Sequence, residues 1–270
     1  MHLQSRRNTV CSRLWSIMQK VLSKGARFMP TDARYQTLLE TSPLFAGLGR
    51  HQLEEVLHSC RPVAWKKGPV TLDTLRCFYI IVKGRLEVMR QNSENGRVLT
   101  LFLLVPGDGF DVLPLLDDRP HEVMTVALDA MEALSLPISQ MRHFIERYPV
   151  LSRNLLLYLA EKLRQLETLA ADIALYETVT RLARLILRHA DPEHAGGGEV
   201  PVRLIGDLPH EVLAHMIGSV RAVVNRHLQA WKRKGIASVR RGHLAIRDLE
   251  ALYAQSHGFI QRLEGKRPSL

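Results

Sequence analysis

Cysteine is scarce: Cys11, Cys60 and Cys77 are the only three in 270 residues, and no two stand at CxxC spacing. An odd, scattered set excludes a disulfide framework and a zinc knuckle, and it fits a reducing cytoplasm. Long apolar runs are missing as well. The densest, Leu101 to Val105, is strand length and far below the roughly 20 residues that span a bilayer, so no membrane span is expected. Acid is absent from the first 28 residues, which carry Arg6, Arg7, Arg13, Lys20, Lys24 and Arg27. What remains is ordinary: 46% hydrophobic and 24% charged residues, a composition that excludes a disordered or fibrous chain and a length that allows two modest domains.

The net charge of +10 sits at the ends. Residues 201–270 hold 12 bases against 5 acids, which leaves the middle slightly acidic, at about −3. A basic C-terminal segment suits the neutralisation of nucleic-acid phosphates, although a solvated basic face would have the same charge.

Four segments follow along the chain. Residues 1–28 interleave their bases with Val10, Leu14, Trp15, Ile17, Met18, Val21 and Leu22, a basic amphipathic pattern suited to an anionic surface. The preferred reading is a translation start at Met29 or a disordered tail. Residues 29–150 form the next segment. Ser42-Pro43-Leu44-Phe45 predicts a helix start, and Val63 to Leu136 then breaks into short apolar runs. The breaks fall at Lys67-Gly68-Pro69, Lys83-Gly84-Arg85, Asn95-Gly96 and Pro106-Gly107-Asp108, the punctuation of an antiparallel barrel or β-roll. Residues 151–177 hold no glycine or proline. There Leu155, Leu159, Leu166, Leu169 and Ile173 step by fours and threes, with Lys162 in the same seam, predicting one long dimerisation helix. Residues 178–255 form the last unit, and 256–270 a tail.

That last unit carries the most specific pattern. Leu208 to Met216 reads as a short helix, Ile217-Gly218-Ser219 as a turn and Val220 to Lys234 as a second helix, which is helix-turn-helix grammar. Val220, Val224, Leu228 and Trp231 make an inward stripe, leaving Arg221, Asn225, Arg226, Gln229 and Lys232 outside. Arginine at such a position reaches the O6 and N7 edge of guanine, whereas Asn and Gln suit adenine or phosphate. Ala237 to Val239 and Leu244 to Ile246 bracket Arg240-Arg241-Gly242-His243, a hairpin wing whose basic tip suits the phosphate backbone.

On Lys67-Gly68, Tyr79 to Leu86, Pro106-Gly107-Asp108, the long helix and Ile217 to Arg226, the chain resembles transcription regulators of the CRP/FNR family over nearly all of residues 41–250. The resemblance implies an α+β fold: an N-terminal antiparallel β-roll (double-stranded β-helix) sensor, a dimerisation helix and a C-terminal winged helix-turn-helix. It implies no enzymatic activity and a homodimer on palindromic double-stranded DNA, with half-sites about one turn apart. RNA polymerase is a further implied partner. Carried onto this sequence, the DNA contacts are Ser219, Arg221, Ala222, Asn225, Arg226, Gln229, Lys232, Arg240, Arg241 and His243. Ala222 departs from the family's glutamate, which predicts an altered half-site.

The effector pocket implied by the resemblance comprises Gly107, Asp111, Val112, Glu122 and Val123. Val112 stands where cyclic-AMP-binding members place a glutamate for the ribose, and Glu122 where they place an arginine for the cyclic phosphate. An ordinary cyclic nucleotide is therefore not expected; a small-molecule or redox effector, or a cyclic nucleotide in an atypical pocket, stays open. The cysteine ligands of iron-sulfur members are absent, while His51, His58, His121, His143, Cys60 and Cys77 leave haem open. A cupin-type metal enzyme is the remaining alternative. His121-Glu122 is its only acid and histidine pair in the barrel, and adjacent strand residues face opposite ways.

Overall fold

A computed structural model describes residues 33–194, 198–240 and 243–257. The N-terminal extension, Arg241 and most of the tail lie outside the described residues. Two helices open the fold, α1 (Ala33–Thr41) and α2 (Arg50–Ser59). The expected helix start at Pro43 is instead a turn, because the buried Ser42 hydroxyl donates to the Gly107 carbonyl at 2.7 Å and ties this stretch to the roll. Gly49 is the N-cap of α2, and its N–H donates to the Gln52 side chain at 2.8 Å.

The strands are β1 (Arg61–Trp65), β2 (Gly68–Val70), β3 (Cys77–Lys83), β4 (Leu86–Gln91), β5 (Val98–Leu104), β6 (Gly109–Phe110), β7 (Met124–Ala127) and β8 (Met131–Pro137). A short helix, α3 (Val112–Asp117), follows β6. The strands form two antiparallel four-stranded sheets, ordered β1-β8-β3-β6 and β2-β7-β4-β5. Alternation along β3 explains its burial on both faces. Ile81 points into the roll with Val88, Phe110 and Ala133, whereas Phe78 and Ile80 point out under the helices with Leu134 and Leu136. At the β3–β4 turn Gly84 has φ of +83°, and a Cβ there would lie 2.8 Å from the Ala130 carbonyl oxygen, so only glycine fits.

Helix α4 (Ile138–Arg147) leads into the 27-residue α5 (Pro149–Leu175). Its first half packs through Leu151, Leu155 and Tyr158 into the core shared with α1, α2 and α4. Lys162 Nζ reaches Asp108 at 3.1 Å, and the Tyr158 hydroxyl donates to the same carboxylate at 2.9 Å. At the far end Asp172 is 3% exposed, paired with Arg184 at 3.1 Å and Arg188 at 2.8 Å. Both arginines come from the next helix, α6 (Thr178–Arg188). A carboxylate in the last turn opposes the helix dipole; the two guanidinium groups offset that and fix the α5–α6 corner.

The C-terminal unit adds β9 (Val200–Pro201), α7 (His210–Met216), α8 (Arg221–Arg233), β10 (Ala237–Arg240), β11 (His243–Ile246) and α9 (Leu249–Gln255), with sheet order β10-β11-β9. It rests on the outer face of the second sheet of the roll, where Leu103, Val126 and Leu128 join its core. Polar staples flank that contact. Arg85 binds Asp129 at 2.7 and 2.8 Å, Asp207 at 2.6 and 2.8 Å, and the Leu204 carbonyl at 2.5 Å. Buried Glu87 accepts from Thr100 at 2.6 Å and lies 3.3 Å from His215. Among the described residues no helix is long and apolar enough to cross a membrane.

Candidate nucleic-acid interface

Helices α7 and α8 meet at Gly218, which has φ of +60° in the connecting turn. A Cβ there would touch Ile173 of α5, Leu99 of β5 and Arg181 of α6, so the turn sits where three elements converge. Arg181 donates to the Ile217 carbonyl at 2.8 Å, satisfying a helix-end acceptor. Val224, Leu228 and Trp231 bury one side of α8. Val220, expected in that stripe, is instead the extended N-cap at ψ 152° and 52% exposed; the helix starts one residue later, so its side chain leaves the helical period.

At 3.6 residues per turn, the side opposite the buried stripe presents Ala222, Arg226, Gln229 and Arg233, all exposed. Arg221 and Lys232 are exposed on its flank. Arg233 was missed in the sequence reading, although the same period places it in line with Arg226. Asn225 lies on the flank, half-buried, its side-chain oxygen bonded to His210 Nδ1 at the start of α7. On the other flank His227 Nε2 is hydrogen-bonded to the Thr178 hydroxyl at 3.0 Å. Burial, and then the Arg226 charge, lower the His227 pKa, which favours the neutral ring.

Ser219 is half-buried in the turn, its N–H donating to the Ala214 carbonyl at 2.8 Å. The wing forms as expected, with Arg240 paired to His243 across β10 and β11 and His243 exposed. The arrangement presents a cationic, hydrogen-bonding ridge on a buttressed helix, backed by a hairpin.

The dimerisation seam divides differently from its expected course. Leu155 is buried and Leu159 half-buried against the core of their own roll, because α5 uses its 155–158–162 face to pack there. Leu166 and Leu169 are half-buried, and Ile173 is 36% exposed beside Gly218. Apolar side chains left to solvent on α5 lie off that seam, among them Leu156 at 68%, Leu157 at 57% and Leu163 at 59% exposure.

The implied pocket residues take several structural roles. Gly107 is buried and its N–H donates to the Ile81 carbonyl. Asp111 caps α3 by accepting from the Leu113 N–H at 3.2 Å, and its second oxygen binds His121 Nδ1 at 2.6 Å. Val112 belongs to the helix-side core, and Val123 packs against the roll interior. Glu122 is exposed and 3.5 Å from Arg90. The haem candidates are spread over several elements, with Cys77 half-buried at the start of β3. His51 pairs with Glu55, His58 with the Glu54 carbonyl and His121 with Asp111, while His143 is exposed. Burial pushes the Cys60 thiol up to about 12, which keeps it protonated. Among the described residues no cluster of His, Cys, Asp and Glu could hold a metal.

Comparison with known proteins agrees with this architecture. Residues 180–255 match the Crp-like helix-turn-helix domain, and residues 72–148 match the cyclic nucleotide-binding domain. The chain is 25% identical over 221 residues to the CRP-like cAMP-activated global transcriptional regulator of Mycobacterium tuberculosis, covering 80% of this chain and 96% of that one. It is 28% identical over 179 residues to the global nitrogen regulator of a Nostoc species, covering 64% and 78%. Among solved structures, the c-di-GMP-responsive regulator CLP of Xanthomonas campestris superposes with TM-score 0.63 at 15% identity over 73% of this chain and 99% of that one. TTHA1359, a CRP/FNR family regulator of Thermus thermophilus, superposes with TM-score 0.56 at 22% identity over 73% and 98%. With both domain types present in this order on this fold, the chain belongs to the CRP/FNR family of transcription regulators.

Proposed function

We propose that the protein is a homodimeric regulator that reads a palindromic double-stranded DNA site, acts in the cytoplasm with RNA polymerase, and answers a signal other than ordinary cyclic AMP. Its working units are residues 29–150, 151–177 and 178–255, and it acts by binding, without catalysis. The observation that carries the DNA reading is the exposed Ala222, Arg226, Gln229 and Arg233 face of α8 on a buried apolar base. Arg226 reads a base and the wing arginines grip phosphate. Homodimerisation rests on the uncovered Leu156, Leu157 and Leu163 of α5, for which a second copy offers a matching helix.

Titration of fluorescent duplexes tests this reading. Arg226→Ala is expected to cost roughly 1 to 3 kcal/mol on a specific site and little on random DNA. Arg240→Ala or Arg241→Ala weakens both and flattens the salt dependence. Equal losses on both duplexes for Arg226→Ala would refute its role.

The choice of signal rests on the Asp111 carboxylate being taken by His121 and the Leu113 N–H, and on Glu122 standing where an anionic ligand would need a cation. A cyclic-nucleotide-responsive regulator with an atypical pocket is the second reading, favoured by the domain match over residues 72–148. Calorimetry with cyclic AMP, cyclic GMP and cyclic di-GMP separates the two. Absence of heat with all three supports the first reading, and saturable binding of any of them supports the second.

A further inference from the structure

An asparagine that specifies adenine needs both ends of its carboxamide, the oxygen accepting from N6–H and the nitrogen donating to N7. On α8 the oxygen of Asn225 already faces His210 Nδ1. His210 and Asn225 are both half-buried where α7 and α8 meet, so the contact is sheltered rather than a passing surface encounter. With Nδ1–H donating, the oxygen is occupied, and only the two N–H donors of the amide remain for DNA. A donor-only group has no partner in the adenine amino group. It suits phosphate oxygen, because Asn225 sits half-buried on the flank of α8 and not on the exposed central ridge of Ala222, Arg226 and Gln229.

The geometry points to His210 as a positioning residue that removes Asn225 from base reading and turns it into a phosphate donor, so that specificity falls to Ala222, Arg226 and Gln229. This inference rests on the DNA-binding reading above and adds a division of labour within α8. It also makes His210 a determinant of sequence preference from a helix that need not touch a base.

The experiment is selection from a randomised duplex pool with the full chain, its variants, and duplex titrations of each. Asn225→Ala is expected to return the wild-type motif and to weaken the enriched and random duplexes alike, by about fivefold, as for one neutral hydrogen bond. Asn225→Asp still accepts from His210 but loses both donors, so it keeps the fold and also weakens both duplexes without altering the motif. His210→Ala frees the oxygen and is expected to add an adenine preference at one symmetric pair of half-site positions. His210→Asn, whose side-chain nitrogen can stand in for Nδ1–H, restores the wild-type motif. Relaxed preference at one base pair in Asn225→Ala, or an unchanged motif in His210→Ala, overturns the inference while leaving DNA binding intact. A wild-type chain that enriches no sequence overturns both.

Discussion

Replacing Arg85 with alanine should loosen the DNA-binding unit from the sensor while leaving each core intact. The guanidinium is 13% exposed and makes two bonds to each of Asp129 and Asp207, on opposite sides of the contact. Two unit charges about 4 Å apart attract by about 4 kcal/mol at an effective dielectric near 20. The aspartates are 37% and 42% exposed, so water recovers much of that, and a net cost of about 2 to 3 kcal/mol is expected. Hydrogen–deuterium exchange resolves where it falls. Amides of β5, β7 and α7 along the contact should exchange about 30- to 150-fold faster, while those of α1, α2 and α4 stay protected. Acid adds a sign. Bonds from Arg85 hold the Asp129 and Asp207 carboxyls below their usual value, so their contribution is present above the unfolded value of about 4 and is lost as pH falls through the lower folded values. Arg85→Ala should flatten that acid limb. Unchanged exchange, or a rise shared equally by α1 and α2, would refute the staple.

Other perturbations read other parts of the fold. Asp172→Ala removes the buried carboxylate that Arg184 and Arg188 share at the α5–α6 corner and should cost about 3 kcal/mol, a drop of roughly 6–12 °C in melting temperature; a drop under 2 °C would contradict a structural corner. His189, at the C-cap of α6, is pushed down to about 4 by burial and then by Arg188. Its neutral form therefore contributes stability that is complete above the unfolded value of about 6.5 and is lost as pH falls toward 4, by at most about 3 kcal/mol. His189→Gln should remove that slope in urea titrations. Leu163→Arg, at an exposed position of α5, should turn the proposed dimer into a monomer in sedimentation velocity without lowering its helix content.

Much of this was legible in the sequence because the signals were local. Asn95-Gly96 announced the β4–β5 hairpin, the glycine- and proline-free run announced α5, and Gly218 announced the turn between α7 and α8. The failures came where distant partners decide. Pro43 looked like a helix start, but the Ser42 hydroxyl answers to Gly107, 65 residues away. The α5 seam was drawn through Leu155 because a 3.5-residue period does not say which stripe the roll will cover. Asn225 read as suited to adenine or phosphate alike, because nothing nearby in the chain reveals His210 beside it. The docking of α7 on the outer sheet face, through Leu103, Val126 and Leu128, was equally invisible to periodicity, since those residues look like ordinary strand side chains.

Selection of binding sites from a randomised duplex pool by the wild-type chain tests the central claim most directly. A two-fold symmetric dimer with one α8 per protomer should enrich an inverted repeat, with half-site centres about one helical turn apart. The base preference facing Ala222 should differ from that of glutamate-bearing relatives and shift toward theirs in Ala222→Glu. Enrichment of a single asymmetric site, or no enrichment above the input pool, would contradict the account.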